Sequence, residues 1–191
     1  MTTRRPAALD LRDLARIVVF AAIIAVLGLA PGIPVFGSVP ITSQTLGVML
    51  AGTVLGAWRG AAAVLVVEVL VALGLPLLAG PRGGAGVFVG PSAGYLIGWI
   101  VGAFVIGAIA RAGSRRPVWW RTAIACVVGG ILVIYAIGIP VVSAVTHLPL
   151  ATAAISSLAF VPGDLLKVVI ATLITQALWR AYPAAFRRGR A

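Results

Sequence analysis

Apolar positions run almost unbroken along the chain, at roughly 14–30, 41–57, 60–78, 91–110, 118–146 and 151–182. Short stretches holding Arg, Pro and Gly separate them. A helix needs about 20 apolar residues to cross a bilayer. The pattern therefore predicts an all-α integral membrane protein, a six-transmembrane-helix bundle forming one domain over residues 1–191. Several runs are short or interrupted by Pro and Gly, and irregular backbone is tolerated at membrane depth only where protein or a cavity surrounds it. A protein-walled cavity is thus expected. The first run has the outline of a signal peptide, with Arg4 and Arg5 ahead of an apolar stretch ending Gly28-Leu29-Ala30. Pro31 would follow the cut and block it, so the run is read as the first membrane helix.

Composition agrees, with 61% hydrophobic and 10% charged residues. Fifteen basic against four acidic residues give a net charge of +11, which raises the question of nucleic acid. Their placement excludes it, because they form short clusters between apolar runs and no continuous basic stripe. The charge instead reports orientation in the lipid bilayer. With the N-terminus inside, thirteen of the fifteen fall in inner segments: Arg4, Arg5, Arg12, Arg16, Arg59, Arg111, Arg115, Arg116, Arg121, Arg180, Arg187, Arg188 and Arg190. Both termini are then cytoplasmic, and the location expected is the inner (plasma) membrane. Arg82 and Lys167 are left on the outer side, where a nutrient would arrive. The single Cys126 and single His147 provide no disulfide, metal or nucleophile cluster, and no cofactor is implied. No P-loop pattern occurs, so the chain cannot hydrolyse ATP by that route.

Small residues recur at helical spacing. Gly52, Gly56 and Gly60 run off the second helix, and Gly90, Gly94, Gly98 and Gly102 mark the fourth. Such spacing lets backbones approach closely in lipid, and these two sets read as internal packing. Ala21, Ala25 and Gly28 on the first helix fit internal packing or a contact with a second membrane protein.

The candidate chemistry lies in VPGDLLKVVI, residues 161–170. Fourteen of the fifteen basic residues are arginine, so Lys167 is not a generic anchor. Lysine offers a compact ammonium where arginine would impose a planar fork. Asp164 and Lys167 share a helix face at i,i+3, an acceptor beside a donor, just after the helix-starting Pro162-Gly163. Ionisable residues in a membrane segment are expensive and default to function. The loop Gly80 to Tyr95 surrounds Arg82 with glycines, among them Gly83, that allow backbone to approach a ligand, and Arg82 could hold a carboxylate. The first outer loop adds Phe36 and Gln44, an apolar plate and a two-way hydrogen-bonder. Glu68, inside VLVVEVLV, fits proton coupling or a protonated packing role.

Three segments in this order, VPITSQTLGVMLAG (39–52), GLPLLAGPRGGAGVFVGPSAGYLIGW (74–99) and FVPGDLLK (160–167), resemble the BioY-type biotin-binding S components of energy-coupling factor (ECF) vitamin transporters. The resemblance implies a six-helix bundle of the ECF S-component type whose outer loops close over biotin. It also implies docking on a transmembrane coupling subunit driven by two ATPase subunits, with Ala21, Ala25 and Gly28 similar to the small-residue face used for that contact. The ureido edge of biotin would meet Asp164 and Lys167, and its apolar parts would pack on Phe36, Phe88 and Tyr95. The reverse pose, with Lys167 on the carboxylate, stays open, as does work alone, as a homo-oligomer or with the coupling module. Pro81-Arg82 and Glu68 depart from what the resemblance leads one to expect at those positions. The alternative reading is a stand-alone secondary transporter of a small organic anion with Glu68 and Asp164 as proton carriers, but no internal repeat supports it. An intramembrane enzyme would need a second carboxylate, metal cluster or activated nucleophile near Asp164, and the sequence offers none.

Overall fold

The structure is a computed structural model that describes residues 10–32, 39–112 and 116–186. Six helices make the bundle: α1 (Leu11–Leu29), α2 (Gln44–Leu55), α3 (Ala57–Ala72), α4 (Ala93–Ala110), α5 (Trp119–Thr146) and α6 (Leu150–Ala181). The helices α4, α5 and α6 are each long and apolar enough to cross a membrane. Helix α1 carries Arg12, Asp13 and Arg16 in its first two turns. Helix α2, with 12 residues, is the shortest of the six, about 18 Å at helical rise. Helices α2 and α3 lean on α4, and α1 packs against α2 and α3. No β-strand occurs among the described residues.

Helices α2 and α3 form a tight hairpin about Gly56, whose φ of 87° lies in the region that favours glycine. The turn presses on α4 so closely that a Cβ built on Gly107 would lie 2.2 Å from the Ala57 nitrogen. Further along, a Cβ on Gly52 would lie 2.8 Å from the Ala103 carbonyl oxygen, and one on Gly102 would lie 2.6 Å from that of Gly129. The expected internal packing of these stripes is therefore what the bundle uses, except at Gly90, and at Gly56 where the turn conformation and not a close neighbour at the Cβ position calls for glycine; a Cβ at either would meet nothing nearer than 3.8 Å. On α1, Ala21 and Gly28 also turn inward: Ala21 is buried, and a Cβ on Gly28 would overlap the Leu77 carbonyl and Gln44. Ala25 is half-buried. At Ala21 and Gly28 the close approach that small residues permit is thus already made by the chain's own segments. The outward face of α1 carries Leu14, Val18 and Val26.

Three departures from regular helix shape the bundle. The third apolar run, expected to remain helical to residue 78, leaves the helix after Ala72, and Gly74 follows with φ 103°. Its end folds back into the protein: Leu73 and Leu75 stay exposed, but Leu78 and Ala79 are buried, and Leu78 pairs with Arg82 in a short antiparallel bridge. The long helix α5 is α-helical over Trp119–Val127, π-helical over Val128–Val133 and α-helical again over Ile134–Thr146, with Pro140 inside the last part. In α6, a 3-10 turn at Leu158–Phe160 separates Leu150–Ser157 from Val161–Ala181, where Pro162 occupies the first turn, a position that needs no N–H.

The opposite end is closed by ions. Asp13 is buried and pairs with Arg59 at 2.8 Å and Arg16 at 3.5 Å. Arg111, also buried, donates to the Phe186 carbonyl at 2.7 Å and to the Val54 carbonyl, with its guanidinium 5.1 Å from the Phe186 ring centre. Arg16 donates to the Ala184 carbonyl at 2.9 Å, and Trp179 meets Phe186 edge-on at 5.3 Å. The turn Pro183–Phe186 is thereby fastened to α1, α2, α6 and the C-terminal end of α4.

Since Gly107 faces backbone that cannot swing aside, Gly107→Leu should destabilise the bundle by about 1–3 kcal/mol or more. Gly90→Ala, where a Cβ would meet only ordinary contacts at 3.8 Å and beyond, should fold like the parent. Thermal unfolding of both variants in detergent, read by size-exclusion recovery, checks the contrast.

Candidate functional site

The end of the bundle formed by the loop before α2, the fold-back after α3 and the 3-10 turn of α6 encloses a cavity with about 600 Å³ of atom-free space, its open mouth included. Its walls are mainly apolar and aromatic, with Val39, Pro40, Ile41, Leu96, Trp99, Ile134 and Phe160 beside Tyr95 and Tyr135. Beside the two tyrosine hydroxyls, the polar groups are Thr42, Gln44, Thr45, Arg82, Ser92, Asp164 and Lys167.

Asp164 and Lys167 form the polar centre. The Lys167 ammonium lies 2.8 Å from Asp164 Oδ1 and donates to Thr45 Oγ1, also at 2.8 Å. The Thr45 hydroxyl donates back to Oδ1 at 3.4 Å, and the Tyr135 hydroxyl donates to Oδ2 at 2.7 Å. Each carboxylate oxygen accepts two hydrogen bonds and an ammonium donates three. Among the described residues, then, Oδ1 is filled, while Oδ2 keeps one acceptor position and Lys167 keeps one N–H. The side chains are only 6% and 13% exposed. Removing one partner of so dry a pair would leave an uncompensated charge, at a cost of about 3–5 kcal/mol. The pair thus offers an acceptor and a donor side by side to a ligand presenting an adjacent N–H and carbonyl.

Three rings frame it. Tyr95, Tyr135 and Phe160 meet one another edge to face, with centroids 6.0 to 6.4 Å apart. Such perpendicular pairs match the positive edge of one ring to the negative face of the next. The Tyr95 hydroxyl shares a 2.8 Å hydrogen bond with Ser157, which donates in turn to the Ala153 carbonyl, so the ring is held from α6.

The residues expected from the sequence separate into groups. Asp164, Lys167, Arg82, Gln44 and Tyr95 come together around the cavity. Arg82 donates its Nε–H to the Ala79 carbonyl at 3.0 Å within the fold-back. Gln44 is fully buried, with its amide nitrogen donating to the carbonyls of Leu77 (3.0 Å) and Ile24 (3.4 Å) while Oε1 has no partner. Gly83 and Phe88 do not border the cavity. A Cβ on Gly83 would lie 2.2 Å from the Leu75 carbonyl oxygen, so that glycine serves the fold-back, and Phe88 packs against the hydrophobic core. Phe36 lies outside the described residues. Glu68 is buried in α3, away from the cavity lining, with Oε1 unpartnered.

Sequence reasoning missed Thr45, Tyr135, Trp99 and Phe160. Thr45 was within reach, being the polar residue beside Gln44 at the start of α2. Tyr135 gave no such signal, because it stands in an apolar run and reaches the cavity through the π-helical register of α5.

Comparison with known proteins agrees with this architecture. Residues 1–184 match the BioY family. The "Biotin transporter BioY" of Rhodobacter capsulatus is 49% identical over 185 residues, covering 91% of this chain and 96% of that protein. The protein of the same name from Rhizobium etli is 48% identical over 180 residues, covering 90% and 95%. A crystal structure described as "the S-component for biotin from an ECF-type ABC transporter" superposes with a TM-score of 0.84 at 33% identity, covering 98% of this chain and 100% of that one. With a family match along nearly its whole length and a cavity built largely by the segments that carried the resemblance, the chain belongs to the BioY family.

Proposed function

We propose that this chain captures biotin at the outer face of the plasma membrane and serves as the substrate-specificity subunit of an ECF-type ABC transporter. The carrying observation is the dry Asp164–Lys167 pair at the head of an aromatic cavity, in a chain whose relatives are named biotin transporters. The ureido ring of biotin presents N–H and C=O groups on one edge. In this reading, one ureido N–H donates to the open position on Asp164 Oδ2, and the remaining Lys167 N–H donates to the ureido oxygen. The thioether ring packs among Tyr95, Tyr135, Phe160 and Trp99. The carboxylate tail runs toward Arg82, whose terminal guanidinium nitrogens remain available beyond its bond to Ala79. The unpartnered Gln44 Oε1 supplies a further acceptor at the wall.

The orientation follows from charge. The end holding Arg16, Arg59 and Arg111 is cytoplasmic by the positive-inside rule, which puts the cavity outside and both termini inside, with the six helices crossing the membrane. The partners that membership of this family implies are a transmembrane coupling subunit and two ATPase subunits, which fits a chain with no nucleotide-binding motif in its sequence. With Ala21 and Gly28 turned inward, the contribution of α1 to that contact falls to Ala25 and the outward residues beside it.

Purified protein should retain labelled biotin in equilibrium dialysis; absence of saturable binding at micromolar ligand, about −8 kcal/mol, overturns the reading. Asp164→Asn and Lys167→Met should each weaken binding by about 2–5 kcal/mol, since each leaves a desolvated charge unpaired. Lys167→Arg separates a ligand role from a structural one. It keeps the charge but replaces a compact donor with a planar fork. Binding equal to the parent would reduce the pair to a structural ion pair.

A further inference from the structure

The hydrogen bond from Tyr135 to Asp164 depends on an irregularity elsewhere in the same helix. An α-helix advances by roughly 100° per residue, and a π-helical turn takes up one additional residue without lengthening the path. The stretch Val128–Val133 ends immediately before Ile134 and Tyr135. Both of these line the cavity. In an unbroken α-helix from Trp119, Tyr135 would be rotated by roughly one residue step away from Asp164. Packing holds the irregular stretch in place. A Cβ on Gly129 would lie 2.5 Å from Ile106 and one on Gly130 2.6 Å from the Met49 methyl, so α5 is pressed against α4 and α2 where its register shifts.

The bond lands on the carboxylate oxygen that still has an acceptor position. Oδ1 is already occupied by Lys167 and Thr45, so the direction in which Oδ2 presents its remaining lone pair is set by the Tyr135 hydroxyl. The ring itself is held perpendicular to Tyr95 and Phe160, which leaves the hydroxyl little freedom. We infer that Tyr135 is a positioning residue for ligand recognition: delivered by the π-helical stretch of α5, it orients Asp164 so that one carboxylate lone pair faces the cavity. This rests on biotin being the ligand.

Tyr135→Phe tests it, because the ring and its edge-to-face contacts remain while the hydroxyl is lost. Two measurements on the purified full chain are needed. Biotin affinity should fall roughly tenfold or more, the scale of a hydrogen bond to a charged group. Separately, in ligand-free protein labelled with carbon-13 aspartate, the Asp164 carboxylate stretch, identified by its loss in Asp164→Asn, should shift in Tyr135→Phe. A purely structural role for the ring would leave that band where it is. Unchanged affinity overturns the inference, and so does lost affinity with an unmoved band, which would make Tyr135 a direct ligand contact. If the parent protein bound no biotin, the functional reading would fall, while the infrared band would still decide whether Tyr135 orients Asp164.

Discussion

A carboxylate and an ammonium held in an apolar interior are tolerable only together and only when nearly every remaining hydrogen-bonding position is filled. That requirement organises one end of this bundle. Asp164 and Lys167 come from α6, Thr45 from the first turn of α2 and Tyr135 from α5, so satisfying the pair draws three helices to one point. What is left unsatisfied is one acceptor and one donor. The same demand that stabilises the pair therefore also defines the shape of the ligand that can complete it.

The approach of those helices depends on backbones meeting without side chains between them. At Gly52, Gly102 and Gly107 the spacing of α2, α3, α4 and α5 leaves no room for a Cβ. In lipid there is no hydrophobic drive to bring helices together, and close van der Waals contact takes its place. The rigid α4 thus acts as a central post: the α2–α3 hairpin rests against one part of it and the π-helical stretch of α5 against another. The cavity walls inherit their positions from these contacts.

Helix number, class and the polar pair were legible in the sequence for distinct physical reasons. Long apolar runs have few structural solutions in a bilayer, and a single lysine among fourteen arginines is visible against its background. Gly83 misled because a glycine that admits a ligand and one that admits the Leu75 carbonyl look alike as letters. The stripe of Ala21 and Gly28 was ambiguous in the same way, since small residues permit close approach by any helix, own or foreign. Tyr135 was hidden for a deeper reason: a one-residue change of helical register leaves no mark in a stretch that is apolar on every face.

The clamp at the far end of the molecule has a consequence for how the chain is made. Arg16, near the beginning, and Arg111, in the middle, donate to carbonyls of Ala184 and Phe186. A chain synthesised from its N-terminus at about 5–20 residues per second has both arginines in place long before those acceptors exist. The first helix and the central post can therefore make these two contacts only once residues 184–186 have been synthesised. Closure of this end therefore joins segments made early, midway and late, and none of them can complete it alone.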